Sequence, residues 1–285
     1  MADDLKLLSP ADFPPLLREI PDAPKHLYLR GTLPSFEKRH IAVVGSRAMT
    51  PYGKQVCEHL ISGLAGYPIV IVSGLAYGVD AQAHRSALDA GLPTIAVPGS
   101  GLNWDILYPR ANTKLAHEIL EKGGALLSEE EPDAKAMDYM FPKRNRIIAG
   151  MSVATLVIEA KEKSGSLITA KLTTEYNREL LVVPGSIFSA ESKGTHQFLR
   201  LGATAVTSPR DILDALGITE TANNPQSRSD LSPEELRVVE LVASPLSRDE
   251  LIRALKLPTF EANVLLSTME LKGVIVEELG TIRVR

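Results

Sequence analysis

Residues 141–150, FPKRNRIIAG, set an aromatic ring beside three cations, Lys143, Arg144 and Arg146. The chain around them is acidic, with 31 Lys/Arg against 35 Asp/Glu and a net charge of −4. Screening over about 10 Å lets one basic patch act almost independently of that net charge. Pro142 suits a first helical turn, so a helix is expected from about Lys143. Lys143 and Arg146, three apart, then share a face, while Ile147, Ile148 and Met151 turn toward a core. Phe141 stands just before that helix, where a base could stack on it. Guanidinium groups beside an aromatic platform grip single strands without sequence preference. A solvated basic turn with Phe141 in the core is the competing meaning.

Other short stretches offer anion chemistry. Gly45-Ser46-Arg47, Ser73-Gly74-Leu75-Ala76-Tyr77-Gly78-Val79-Asp80 and Pro98-Gly99-Ser100-Gly101 each follow an apolar run. Small residues there let backbone N–H groups approach an anion at the start of the next helix. Arg47 adds a planar, bidentate phosphate ligand. In KEKSGSLITAK (161–171), Ser164 or Ser166 can cap a helix beginning near Leu167, Gly165 permits close approach, and Lys161 and Lys163 point to phosphate. Turn geometry alone also accounts for such glycines, and capping alone for such serines. Neither G-x-G-x-x-G nor G-x-x-x-x-G-K-[ST] occurs where a dinucleotide site or P-loop needs it, so no nucleotide cofactor is expected.

These loops need a scaffold. IAVVG (41–45), IVIVSG (69–74), TIAVPG (94–99), ALLSE (125–129), ATLVIEA (154–160) and LLVVPG (180–185) recur at regular intervals. Each is continuous rather than alternating, as strands buried on both faces are. Helical patterns over 53–65, 79–90, 112–122, 143–151 and 166–178 lie between them. The expected fold is α/β: a Rossmann-type open, mostly parallel sheet with helices on both faces, ligands meeting the loops after the strands. Residues 1–40 read as a Pro-rich arm packed on the 41–216 domain, and 217–230 as a polar linker. Residues 231–285 show three helical patterns (232–243, 247–256, 258–272) and two short strands (274–278, 281–285), a small winged-helix domain.

With the loops placed, one resemblance is plain. Gly-Ser-Arg after the first strand, Ser-Gly-x-Ala-x-Gly-Val-Asp after the second, Tyr108-Pro109-Arg110-Ala111-Asn112, Phe-x-x-Arg-Asn-Arg and Ser-Gly-Ser-Leu-x-Thr-Ala resemble the DNA-processing protein A family (DprA, also called Smf). It extends over residues 13 to about 216. The resemblance implies an extended Rossmann-type domain that binds single-stranded DNA in natural transformation, protects incoming strands, helps displace single-strand-binding protein and loads the RecA recombinase. It assigns the DNA pocket to Ser46, Arg47, Gly74, Phe141, Arg144, Asn145 and Arg146. Charge and position add Arg110 and Lys143. The family dimerises through the end of this domain, which makes GTHQFLRLGA (194–203) a candidate interface, with His196, Phe198 and Leu199 in contact. Ordinary amphipathic packing is the other reading of that helix.

An enzyme is the competing class. Nucleoside-monophosphate phosphoribohydrolases of the lysine-decarboxylase-like group use a Pro-Gly-Gly-x-Gly-Thr-x-x-Glu loop. The corresponding stretch here, Ser164 to Lys171, lacks the carboxylate. The six histidines show no H-x-H or H-E-x-x-H pairing. Asp80 and His84 could bond locally, SEEEPD (128–133) reads as a solvated loop, and Cys57 as inert core. A binding protein without catalytic groups, metal or cofactor is expected. The lone cysteine and the lack of a long apolar run fit a soluble, cytoplasmic protein with no membrane contact.

The winged domain carries seven Lys/Arg and nine Asp/Glu over 231–285, and its third helix, PTFEANVLLSTMELK, holds Glu261 and Glu270. A duplex-reading helix needs cations. This domain is expected to bind duplex DNA weakly or not at all and to serve as a protein-contact or regulatory module, with Arg283 and Arg285 on the wing leaving a small opening for phosphate contact.

Overall fold

A computed structural model describes residues 4–218, 232–242, 246–272, 274–278 and 280–284. The chain divides into two compact units, Met1–Thr221 and Ala222–Arg285. In the first, described residues form one sheet from β1 (Lys6–Leu8), β2 (Leu27–Gly31), β3 (Arg39–Val44), β4 (Ile69–Ser73), β5 (Thr94–Ala96), β6 (Ala125–Ser128), β7 (Ala154–Val157), β8 (Glu179–Val182) and β9 (Thr204–Ala205). The spatial order is β1-β2-β6-β5-β4-β3-β7-β8-β9. β3 through β9 pair in parallel. The arm does more than pack on this sheet. β2 adds antiparallel to β6, and β1 to β2. Its short pieces carry no period a sequence reading can use.

The helices are α1 (Pro15–Arg18), α2 (Pro51–Ser62), α3 (Val79–Asp89), α4 (Thr113–Glu121), α5 (Met140–Gly150), α6 (Ser166–Glu175), α7 (Lys193–Arg200) and α8 (Pro209–Ala215). Alternation along the central strands feeds two cores. Ile41, Val43, Ile69 and Ile71 face α2, α3 and α8 through Leu60, Ile61, Ala83 and Ile212. Ala42, Val44, Val70 and Val72 face α1, α5 and α6 through Leu17, Ile147, Ile148 and Ala170. Continuous apolar runs are therefore required, because both strand faces are buried. α5 begins three residues before Lys143. Pro142 still falls in the first turn, where its missing N–H has no intrahelical partner to lose.

From β3 the chain steps outward through β4, β5 and β6, then returns to the other side of β3 with β7. This reversal opens the carboxyl edge at the β3–β7 boundary, the place where such sheets bind ligands. The loops after β3, β4, β5 and β7 and the start of α5 all meet there.

The second unit contains α9 (Pro233–Leu241), α10 (Arg248–Leu255), α11 (Thr259–Leu271) and an antiparallel pair, β10 (Ile275–Glu278) with β11 (Thr281–Val284). Val238, Leu251, Leu266, Met269 and Ile282 fill its core. Ser232 and Ser247 cap α9 and α10, each in a capping box with a Glu three residues on. Most of the expected linker and Arg285 lie outside the described residues.

Candidate nucleic-acid interface

Glycine shapes the edge. At Gly78, φ is +73°, and a Cβ would lie 2.2 Å from the Ser46 carbonyl. Only glycine lets the β3 and β4 loops touch there. Val79 N–H then donates to the Ser46 carbonyl at 3.1 Å, joining the two loops. Ser46 itself is buried, its Oγ accepting from Ala48 N–H at 3.2 Å. At Gly74 a Cβ would meet the Arg144 guanidinium, and at Gly99 it would lie 2.4 Å from Phe141 Cδ1.

Arg47 is exposed, and its guanidinium carbon lies 4.9 Å from the centroid of Phe141. Among the described residues no carboxylate comes within ion-pair distance of Arg47, so its donors remain available for a phosphate. Tyr108 continues the cluster, its ring centroid 5.8 Å from that of Phe141 with the planes 52° apart. Arg110 is exposed, with Nη2 donating to the Asp105 carbonyl at 2.7 Å. Lys163 is exposed on the loop after β7. Asn145 links that loop to α5, its Nδ2 donating to the Gly165 carbonyl at 3.4 Å. Ser164 and Ser166 pair through their hydroxyls at 2.7 Å, and Ser166 N–H donates to Ser164 Oγ at 3.3 Å.

The three cations of FPKRNRIIAG separate into different roles. Arg144 is buried, and protein acceptors take up its guanidinium. Its Nη1 donates to the Gly74 carbonyl at 2.6 Å and also to the Val97 carbonyl, and its Nε to Asn145 Oδ1 at 3.2 Å. It thereby ties the ends of β4 and β5 together. Burial pulls its pKa down to about 10, with Asp80 opposing that pull, so it remains a cation at neutral pH. Asp80 is the buried counter-charge. Burial raises its carboxyl above the ordinary range, while Arg144 and the Gly74 N–H hold it back. A buried cation set among carbonyls and one carboxylate is a framework element.

Arg146 is also buried, its Nη2 donating to both Glu129 oxygens at 2.7 and 2.6 Å, with Asp22 at 3.5 Å. Lys143 lies 3.0 Å from Glu130 and 3.2 Å from Glu129. Partial burial pulls the Lys143 pKa down, but the two carboxylates outweigh it and the net shift is upward. Lys143 and Arg146 do share a face, and it packs against the acidic run. SEEEPD is thus only in part a solvated loop: Glu129 and Glu130 neutralise α5, while Glu131, exposed, accepts from Tyr28 Oη at 2.6 Å. The spacing of SEEEPD carries no sign of this, because its partners come from a different element.

Asp80 and His84 go to separate partners, His84 Nδ1 meeting Thr94 Oγ1 at 2.7 Å. Cys57 is fully buried, its thiol pushed up to about 12 by burial. No cluster of metal-ligating side chains occurs among the described residues, and no described helix is long and apolar enough to cross a membrane.

In the self-association segment, His196 Nε2 pairs with the Gly185 carbonyl at 3.1 Å. Phe198 and Leu199 are partly buried against the sheet. The outward apolar groups nearby are Ile187, Phe188 and Leu201, exposed by 76%, 92% and 80%. Phe188 sits in a loop after β8, outside any helical pattern, and a lone aromatic there gives no periodic signal.

In the second unit Arg248 is drawn into the protein. It donates to Glu270 at 3.0 Å, Glu277 at 2.8 Å, Asn263 at 3.2 Å and Ser267 at 3.3 Å. α11 exposes Phe260 and Val264 instead of cations.

The chain matches the family model of the DNA recombination-mediator protein A over residues 5–217 and that of the DprA winged helix domain over 220–280. It is 44% identical to the DNA processing protein DprA of Streptococcus pneumoniae over 197 residues, 69% of this chain and 68% of that one. It is 43% identical to Protein Smf of Escherichia coli over 212 residues, 73% of this chain and 56% of that protein, and so spans little more than half of it. Among solved structures, DNA processing protein A from S. pneumoniae superposes with a TM-score of 0.69 at 41% identity, covering 75% of each chain. The protein of that name from Helicobacter pylori, described for its single-stranded DNA binding mode, gives 0.67 at 33% identity, covering 75% of this chain and 96% of that one.

Proposed function

Because the chain belongs to the DNA recombination-mediator protein A family, we propose that its first unit binds single-stranded DNA at the carboxyl edge of the sheet. The observation that carries this is the Arg47–Phe141 pair: an exposed guanidinium with no carboxylate partner among the described residues, held over an aromatic ring where the strand loops converge. Arg110, in the connection after β5, and Lys163, in the loop after β7, add exposed cations to the same edge. Lys143, Arg144 and Arg146 support the edge from beneath. With most of its cations engaged inside the protein, the edge makes few phosphate contacts and relies on stacking for the remainder of its affinity.

In the cell this chain protects incoming strands during natural transformation, displaces single-strand-binding protein and loads the RecA recombinase. It works as a cytoplasmic homodimer through the face around His196 and Phe188. It is not an enzyme and uses no cofactor. The acidic winged unit contacts protein.

The test is salt-titrated binding of a labelled single strand against a duplex and free nucleotides. Log affinity should fall with log salt by about 0.7 per phosphate contacted, and Arg47→Ala should flatten the slope by one contact. Tight nucleotide binding without preference for a strand would defeat the proposal. RecA loading is checked by filament growth on strands coated with single-strand-binding protein, which this protein should accelerate.

A further inference from the structure

Resting on the strand-binding reading above, we infer that Tyr108 is a second base-stacking residue of this edge, taking the base next to the one at the Arg47–Phe141 pair. One side of Phe141 is covered by the Arg47 guanidinium, 4.9 Å from the ring centroid. A base arriving on that side meets the guanidinium plane, which itself stacks well. The nearest further aromatic surface is Tyr108, 5.8 Å away and tilted by 52°. That geometry is a stable tilted contact between the two rings, and it leaves Tyr108 39% exposed.

The ring is held by a rigid frame. Tyr108 N–H donates to the buried Ser100 Oγ at 3.1 Å, and Ser128 Oγ donates to the Ser100 carbonyl at 2.7 Å, fixing the loop to β6. Four residues on, Asn112 Nδ2 donates to the Leu75 carbonyl at 2.8 Å and the Ala76 carbonyl at 3.2 Å. The 108–112 segment is therefore fastened directly to the loops after β4 and β5, and through Ser100 to β6 itself. Tyr28, Tyr52 and Tyr176 are anchored differently, each donating its hydroxyl to a protein acceptor. Tyr108 is anchored through its backbone, which leaves its side chain as the presented group. Arg110, two residues along and exposed, is placed for the phosphate that accompanies the stacked base. A ring preorganised in this way adds affinity without ordering entropy at the moment of binding. Every base has a π face, so this contact is indifferent to sequence.

The experiment uses the full chain and a short labelled oligothymidylate, read by fluorescence anisotropy across a salt series. Tyr108→Ala should weaken binding by about 5- to 150-fold, the stacking worth of one base. Tyr108→Leu, which keeps apolar contact with Phe141 but has no π face, should behave like the alanine variant, and Tyr108→Phe like wild type. None of the three should change the salt slope, because no phosphate contact is lost. Oligomers with one abasic position should lose affinity for wild type at a position where Tyr108→Ala is insensitive. Equal binding by wild type and the Ala and Leu variants, or a changed slope, would overturn the assignment. A wild-type protein that fails to hold any single strand would overturn the strand-binding reading itself.

Discussion

Replacing Arg144 with methionine separates framework from contact. The substitution keeps an unbranched apolar stem and removes the guanidinium. Two buried carbonyls, of Gly74 and Val97, lose their donor. A buried acceptor left without a partner costs about 1–3 kcal/mol. Asp80 loses its cationic neighbour, and its carboxyl, already raised by burial, moves further toward the neutral acid. The expected loss is about 3–5 kcal/mol, the usual result of breaking a buried charge arrangement from one side. In a unit of this size each kcal/mol moves the midpoint by about 2–4 °C, so Tm should fall by roughly 6–20 °C. Arg47→Ala, on an exposed side chain, should stay within about 0.5 kcal/mol of wild type. Binding should show the reverse ranking. At a temperature where both remain folded, Arg47→Ala flattens the salt slope by about 0.7 and Arg144→Met leaves it unchanged. Urea unfolding with thermal scans, beside the anisotropy titration, reads both quantities. An Arg144→Met protein that melts with wild type and loses one contact's worth of slope would refute the reasoning.

The remaining predictions concern other parts of the chain. His84 is buried as the neutral ring, its pKa pushed down to about 3 by burial and the nearby Arg144 against an ordinary 6.5. Its contribution is therefore complete above about pH 6.5 and is lost as pH falls toward 3, at up to about 1.4 kcal/mol per pH unit. Urea midpoints between pH 6.5 and 5 should fall less steeply for His84→Gln than for wild type. Gly99→Ala would push the Phe141 ring aside, and Gly101→Ala would meet the Glu131 and Pro132 carbonyls at 2.2 and 2.4 Å. The first should weaken strand binding while the fold survives, and the second should lower Tm, as paired titrations and melts will tell. Ending the chain at residue 218 should leave both strand and duplex affinity unaltered, since Arg248 is engaged with carboxylates and α11 exposes Phe260 and Val264. A drop in duplex affinity on truncation would contradict that. Phe188→Glu should shift the protein toward monomer in sedimentation velocity, whereas Leu199→Ala should chiefly destabilise it, because Leu199 packs inward.

What the residues alone determined was the scaffold and the edge that carries the candidate site. Continuous runs such as IAVVG and IVIVSG have to be strands covered on both faces, and helical periods between them leave a parallel sheet as the arrangement that buries both. Small residues after those runs mark the carboxyl edge, and the loops of Ser46, Gly74, Gly99 and Gly165 all lie there. These are local signals, set by backbone sterics and by the period of burial. The partners of charges are not local. Arg144 and Arg146 differ from Arg47 in nothing that composition or spacing records, yet two are buried and one is presented. Their roles were decided when β4 and β5 brought the Gly74 and Val97 carbonyls to Arg144, and when the acidic run after β6 came to rest against α5. The arm follows the same logic, since β2 becomes a strand by pairing with β6 nearly a hundred residues away. Coulomb and hydrogen-bond partners act through space over a few ångströms, so only the tertiary structure could divide the cations of this edge into those engaged within the fold and those left exposed.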